Sequence, residues 1–521
     1  MMRYLRGLTV VAMFSCVAAS ATACGSSSTG STKSAAADGG NLRFARSADI
    51  LTLDPTKMTD NESAATVQQI FDTLYTVAQD GRTLTPSLAT GYTLSADDLT
   101  WTFTLRSDVT FSDGTPFTSA DVKYTYERVA GTSSNPFAST DAVMKSITTP
   151  NPQTVVIKTA TPWAPLLSDL ALPANSILPN NLEGKSEQAF FTHPIGTGLF
   201  AFDHWTKGQE VKLVKNPRYR IKGEPHLDSV TFTVVSDDNT RKLQLQGGQI
   251  DVDENPPFSQ LAQLQANKGL TVSAYKSTRT DFVLFNFEKK PFQDLQVRRA
   301  ISYAIDRAAL QKAVLFGSGQ IANSILSNSF WAWSASVPGI QYDLDKAKAA
   351  MASSSVPAGF STTLMVGSGN AFEQTMGQIV QQQLAAIGIK VTLDPVDPSN
   401  EYKLTEQGQY DMTFQWDSSD IADPDELVTF SAMGGTSGQQ TKSFWTNYDN
   451  AEVDNWAEQA EVTFDQAKRQ QLYTQLQNQV AADAPMVFLF YTPNVYAYSS
   501  KVHGFGVTPM GVYPLGQVTL G

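Results

Sequence analysis

The plainest pattern in the chain is the strict alternation of "LTWTFTLR". Leu99, Trp101, Phe103 and Leu105 share one face, and Thr100, Thr102, Thr104 and Arg106 share the other. A period of two with threonines on the polar side predicts an antiparallel strand buried on one face. "FSDGTPF" follows and supplies a turn on Asp113-Gly114. The period then becomes helical in "TSADVKYTYERV", where Thr118 and Asp121 stand at capping-box spacing and Val122, Tyr126 and Val129 form the inner stripe. "EVKLVKN" and "SVTFTVV" read as strands. "DDNTRKLQLQGGQIDV" reads as a capped helix stopped by Gly247-Gly248 and returning to a strand. "DLQVRRAISYAIDRAALQKAVLFG" reads as one helix, capped by Asp294 and ended by Gly317. Its inner face is Val297, Ala300, Ile301, Ala304, Ile305 and Ala308, and Arg298 and Arg299 are expected on its solvated side. "FEQTMGQIVQQQLAAIGIKVTLDPV" predicts a helix leading through Gly388 into a strand, and a polar helix over 465–483 precedes the strand-like "MVFLFYT". Strands interleaved with helices predict a mixed α/β fold, and no fixed-period repeat is visible.

A length of 521 residues exceeds what one hydrophobic core fills, so two or three domains are expected, and 41% apolar residues suffice to build them. The formal charge of −12, with no dense run of Lys and Arg, argues against a nucleic-acid partner. The first residues read as a targeting segment: Arg3 and Arg6 in "MMRYLR", the apolar "GLTVVAMFSCVAAS", then "ATAC". Cys16 and Cys24 are the chain's two cysteines, so removal of that segment leaves no internal disulfide. Cys24 followed by "GSSSTGSTKSAAADGG" resembles the lipobox of bacterial lipoproteins, with Ala21 where Leu is usual. That resemblance implies cleavage after residue 23, a lipid on Cys24 and a flexible tether over 24–40, which places the protein at the outer face of the cell membrane.

"QWDSSDIADPDE" (415–426) holds five carboxylates within ten residues, directly after Trp416. A catalytic acid pair, a metal site, a solvated loop and a socket for a cationic ligand all fit that composition. No G-x-S-x-G, H-E-x-x-H, P-loop or G-x-G-x-x-G accompanies it, and acids so close in sequence rarely reach the separation a glycosidase needs. An extracytoplasmic hydrolase is the disfavoured reading. His193, His204, His226 and His503 show no ligand spacing, so neither a metal nor another cofactor is expected.

The stretch "LATGYTLSADDLTWTFTLRSDVTFSDGTPFTSADVKYTYERV" (88–129) resembles the signature of the peptide/nickel/opine class of extracellular solute-binding proteins, family 5, which serve ABC importers. Tyr92, Asp98 and Ser119 stand where Trp, Gly and Ala are usual. "PIGTGLFAF", "VKNPRYRIKGEPHLDSVTF", "FNFEKKPFQDLQVRRAISYAIDRAAL", "YDLDKAKAAM" and "DAPMVFLFY" follow in family order. The resemblance implies a periplasmic-binding-protein-like fold of two α/β lobes that close on a ligand, with an additional third lobe. One lobe would be built from 41–85, 193–283 and 497–521, the extra lobe from 86–192 and the second binding lobe from 284–496. It further implies a monomer that captures peptides and delivers them to an ABC permease with its ATPase subunits, with no chemistry of its own; oligosaccharides, opines, haem and nickel chelates are the rival ligands.

In peptide-binding members a "W-x-x-D-x-x-[D/E]-P" segment supplies the carboxylate that meets the peptide's α-ammonium. Anchored on Asp423-Pro424, that pattern gives Asp420 this role, with one extra residue after Trp416 and with Asp417 as the substitute. An ammonium drawn into a dry cleft needs such a carboxylate. Trp416 is expected as an aromatic wall beside it, and Asp423 and Asp425 as turn or capping residues. Trp331 and Trp333 of "SFWAWS" stand where family members have a cleft-facing segment. Asn286 is expected on a strand whose main chain pairs with an extended peptide, and Arg279 as a bidentate partner of a ligand carboxylate.

Overall fold

The structure is a computed structural model and describes residues 38–132, 142–434 and 442–521. The targeting segment 1–23, Cys24 and the tether up to residue 37 lie outside the described residues.

The alternating stretch forms the strand Thr100–Leu105, with Trp101, Phe103 and Leu105 buried and Thr104 exposed. It lies between Ala89–Leu94 and Thr154–Thr159 in a four-stranded antiparallel sheet completed by Met144–Asn151. The helix Ser119–Gly131 packs on this sheet through Val122, Tyr126 and Val129, and its capping box is formed: Thr118 N–H donates to Asp121 Oδ2 at 2.6 Å.

Two larger sheets organise the rest. In the seven-stranded sheet, Asn41–Arg46 runs parallel to Ser229–Val234 on one side and to Val252–Glu254 on the other. Glu210–Lys215 and Phe200–Thr206 extend the first side, and Asn494–Ser499 and Leu270–Tyr275 the second. The six-stranded sheet runs in the order Gln320–Ile321, Met486–Tyr491, Thr280–Phe285, Met412–Asp417, Ser361–Gly367, Lys390–Val396. Helix Ala371–Ala385 joins its last two strands in a parallel α/β unit, and Gly388, at φ +82°, makes the turn. The chain passes between these sheets at 276–279 and again at 492–493. Residues 283 and 496, after which lobe boundaries are expected, lie within the strands Thr280–Phe285 and Asn494–Ser499.

The helix expected over 294–317 is two helices, Leu295–Ala304 and Arg307–Val314. Asp306 is the cause: its carboxylate accepts from the N–H groups of Ala308 and Ala309, so it starts a second helix, and Ala308 is exposed. Arg298 is corrected too. Arg298 is buried, and it donates to Phe292 O at 2.8 Å and to Asp483 O at 2.9 Å, while Arg299 reaches Ala482 O. Both arginines satisfy carbonyls at the C-terminus of helix Gln466–Asp483, the end where carbonyls lack helical partners and the dipole attracts cations. Burial lowers the Arg298 guanidinium to about 10.

Candidate ligand-binding site

The two crossings are pinned side by side by small hydroxyls. Ser277 Oγ donates to Thr492 O, and the hydroxyls of Ser327 and Ser329 donate to Ser277 O at 2.8 and 2.9 Å. Thr278 Oγ1 donates to Ser419 O at 2.9 Å and accepts from Ser419 N–H at 3.1 Å. The acidic loop after strand Met412–Asp417 is thereby laced to the first crossing. Facing it across a cleft are the helix Asn61–Ile70, the turn at Asn255 and the segment 509–513. The cleft comprises adjoining chambers of about 350, 360 and 80 Å³, and Asp420 and Met510 line all three. This is the size and concavity of a small-molecule site.

The five acids of the loop divide by their partners. Asp423 forms a buried bidentate pair with Arg469, at 2.7 and 2.8 Å, and also accepts from Asp425 N–H at the start of helix Asp425–Ser431. Glu426 accepts from Ser419 Oγ and from the N–H groups of Asp420 and Ile421, which folds the loop back on itself. Asp417 accepts from Ser431 Oγ and Ser418 N–H, and burial pushes it up to about 7. Asp425 is buried and raised well above the carboxylate range by burial and by Glu461 nearby.

Asp420 stands apart. It is half-buried, its side chain has no hydrogen bond or ion pair among the described residues, and it projects into the cleft. Burial, then the neighbouring charges of Glu426 and Asp417, push it up to about 8. A carboxyl group in that state holds a proton where a cation would serve better.

Trp416 is 45% exposed and lines the same chamber as Asp420, but the Arg279 guanidinium already lies 4.5 Å from its ring centre. Arg279 in turn pairs with Asp281 at 2.5 Å. The structure thus brings Asp420, Trp416 and Arg279 together on one wall. It does not bring Asn286 there: that side chain is fully buried and donates to Gly408 O and Tyr410 O. The strand before it, Thr280–Phe285, is hydrogen-bonded on both edges, so its main chain has no edge for a peptide strand. Trp331 and Trp333 also lie away from the cleft. Trp331 packs against Tyr473 and Arg469, and Trp333 donates to Asn323 Oδ1 at 2.9 Å. Replacing Trp331 by Phe is therefore expected to lower thermal stability by about 1 kcal/mol and to leave the affinity for any cleft ligand unchanged, which paired melting and titration experiments check.

Sequence reasoning missed the opposite wall, where Asn61, Gln68, Asn255 and Asn494 present amide side chains to the cleft. The turn signals Asn255-Pro256-Pro257 and Pro493-Asn494 were the hint available.

The chain belongs to the bacterial extracellular solute-binding proteins, family 5: the model of that family's middle portion matches residues 83–439. It is 31% identical over 485 residues to a glutathione-binding protein, GsiB, of Escherichia coli O6:K15:H31, covering 90% of this chain and 92% of that one. Among solved structures, the periplasmic binding protein DppA of Helicobacter pylori, in complex with the peptide STSA, superposes with a TM-score of 0.81 at 28% identity, over 93% of this chain and 98% of that one. AgaA of A. tumefaciens R10, in complex with agropinic acid, gives a TM-score of 0.78 at 28% identity, over 92% and 99%. The family is one of extracytoplasmic substrate-binding proteins for transport, and among the described residues no helix is long and apolar enough to cross a membrane.

Proposed function

We propose that this protein is the peptide-binding component of an ABC importer, held outside the membrane by a lipid on Cys24. It captures peptides with a free N-terminal amine between its two large sheets and delivers them, as a monomer, to a permease whose ATPase drives transport. The cleft walls belong to two lobes hinged at 276–279 and 492–493, with the four-stranded sheet in a third lobe, and no reaction takes place in the cleft. The observation that carries this reading is Asp420: a carboxyl group in a ligand-sized cleft, unpaired among the described residues and displaced from its ordinary range for want of a cation. The relatives named for binding glutathione and solved with the peptide STSA support a peptide ligand. Trp331 and Trp333, the aromatics on which a sugar reading would rely for stacking, do not line the three chambers.

Calorimetry on the chain from residue 25 tests the proposal, with a pool of di- to pentapeptides set against linear oligosaccharides. Peptides are expected to bind and sugars not; the reverse would refute it. Binding should also release protons. Near pH 7 the free carboxyl of Asp420 is largely protonated, and pairing with an ammonium returns it to the charged form. About one proton per ligand is then passed to the buffer, so the binding heat should be more exothermic in Tris than in phosphate.

A further inference from the structure

The four-stranded sheet stands apart from the two large sheets, yet chain that leaves it touches both walls of the cleft. After its strand Thr154–Thr159 come a short helix, Leu166–Asp169, and a turn, Pro173–Asn175. Leu166, Leu170 and Ile177 fix this segment in the core of the four-stranded sheet. One side of it is tied to the wall built on the seven-stranded sheet. Ile177 N–H donates to Asp72 O at 2.9 Å, and the turn packs against helix Asn61–Ile70. The other side meets the acidic loop. Leu172 and Ala174 enclose Ile421, and all three side chains are almost fully buried. Ile421 is the residue that follows Asp420. Two further contacts reach the same wall. Ala164 N–H donates to Glu461 O at 2.7 Å, at the end of helix Ala451–Glu461. Phe464, 37% exposed, lies against Trp101 of the four-stranded sheet, with ring centres 5.8 Å apart. Neither Ile421 nor Phe464 lines any of the three chambers.

We propose that the segment 163–175 is a clasp that holds the cleft shut and sets Asp420 in place, with Ile421 as its main catch and Phe464 as a second. This rests on the peptide reading above. The segment is bound to the wall of helix Asn61–Ile70 by its own core and by backbone. Its contacts with Ile421 and Glu461, like that of Trp101 with Phe464, cross between lobes, and they part when the lobes turn about 276–279 and 492–493. A ligand cation drawn to Asp420 brings the acidic loop toward the opposite wall, and Ile421, one residue on, enters its socket in the same movement. Contacts made only in the closed state add their free energy to that of the ligand, so affinity depends on residues that do not touch it. Ile421 and Phe464 are thus positioning residues, and the extra lobe is part of the binding apparatus.

The test titrates the chain from residue 25 with the di- to pentapeptide pool, as wild type and as Ile421→Ala, Phe464→Ala and Phe464→Tyr, each well below its melting temperature. Binding is expected to weaken by about tenfold or more in Ile421→Ala, which empties the socket. In Phe464→Ala it is expected to weaken by about two- to tenfold, the equivalent of one aromatic contact. Phe464→Tyr keeps the ring and is expected to keep the wild-type affinity. Residues that only stabilise the fold would lower the melting temperature and leave the affinity as it is, so wild-type affinity in either alanine variant overturns the proposal. A wild-type chain that binds no peptide removes the peptide reading and the clasp with it, an outcome distinct from variants that bind as well as the wild type.

Discussion

Replacing Asp420 by asparagine is expected to abolish capture of free-amine peptides, with an affinity loss of about thirtyfold or more. That corresponds to the roughly 2–5 kcal/mol that follows removal of one partner from a buried charge pair. Asparagine keeps the shape and a carbonyl oxygen, so the loss reports charge and not volume. No other carboxylate on the loop can substitute: Asp423 is held by Arg469, Glu426 by Ser419 and two backbone N–H groups, and Asp417 by Ser431, while Asp425 is buried and lines none of the three chambers. The free protein should respond in the opposite sense. A carboxyl group raised in the folded state, as Asp420 is to about 8, binds a proton that the unfolded chain gives up near 4. Its stabilising contribution is complete below the unfolded value and is lost as pH rises through the folded one. Asp417, raised to about 7, acts in the same direction. The melting temperature of the free protein should therefore fall from pH 5 to pH 8, and fall less steeply in Asp420→Asn. Melting across that range checks the stability half, and titration with a peptide pool checks the binding half.

The second large effect is on stability. Replacing Arg469 by methionine leaves Asp423 buried without a cation, beside Asp425 and Glu461, two further carboxyl groups whose proton affinity is already raised. Breaking a buried pair in this way costs about 3–5 kcal/mol. Arg469 also donates to Ala460 O at 2.9 Å and lies 5.1 Å from the Trp331 ring centre, so the packing between helices Ala451–Glu461 and Gln466–Asp483 suffers as well. The double replacement Asp423→Asn with Arg469→Met removes both charges and is expected to recover most of the loss. Urea denaturation of the single and double variants decides the matter. If the single variant costs no more than the double, the pair does not hold this loop.

What the sequence made legible is local. The alternation at 99–106, the capping box at Thr118 and the capped helix after Asp237 rest on neighbours within a few residues, and the structure follows them. Asp306 misled because the same helical period runs on both sides of a residue that caps a new helix. Arg298 misled because its partners, the carbonyls near Asp483, lie 185 positions away. The site has the same character. Asp420 was separable from its four acidic neighbours only through a family pattern, since what distinguishes it physically is set by Arg469, Ser431 and the loop's own fold. The amide wall drew no notice because Asn61, Asn255 and Asn494 come from three distant segments that meet only when the two sheets are assembled. Trp331 and Trp333, conspicuous in the sequence, are packing residues.

The most direct measurement is calorimetric titration of the chain from residue 25 with one di- to pentapeptide pool, before and after N-acetylation. Free-amine peptides are expected to bind, and acetylation to abolish binding, because it removes the cation for which Asp420 is placed. Equal binding of the two pools would contradict the account and leave the acidic loop with no part in recognition.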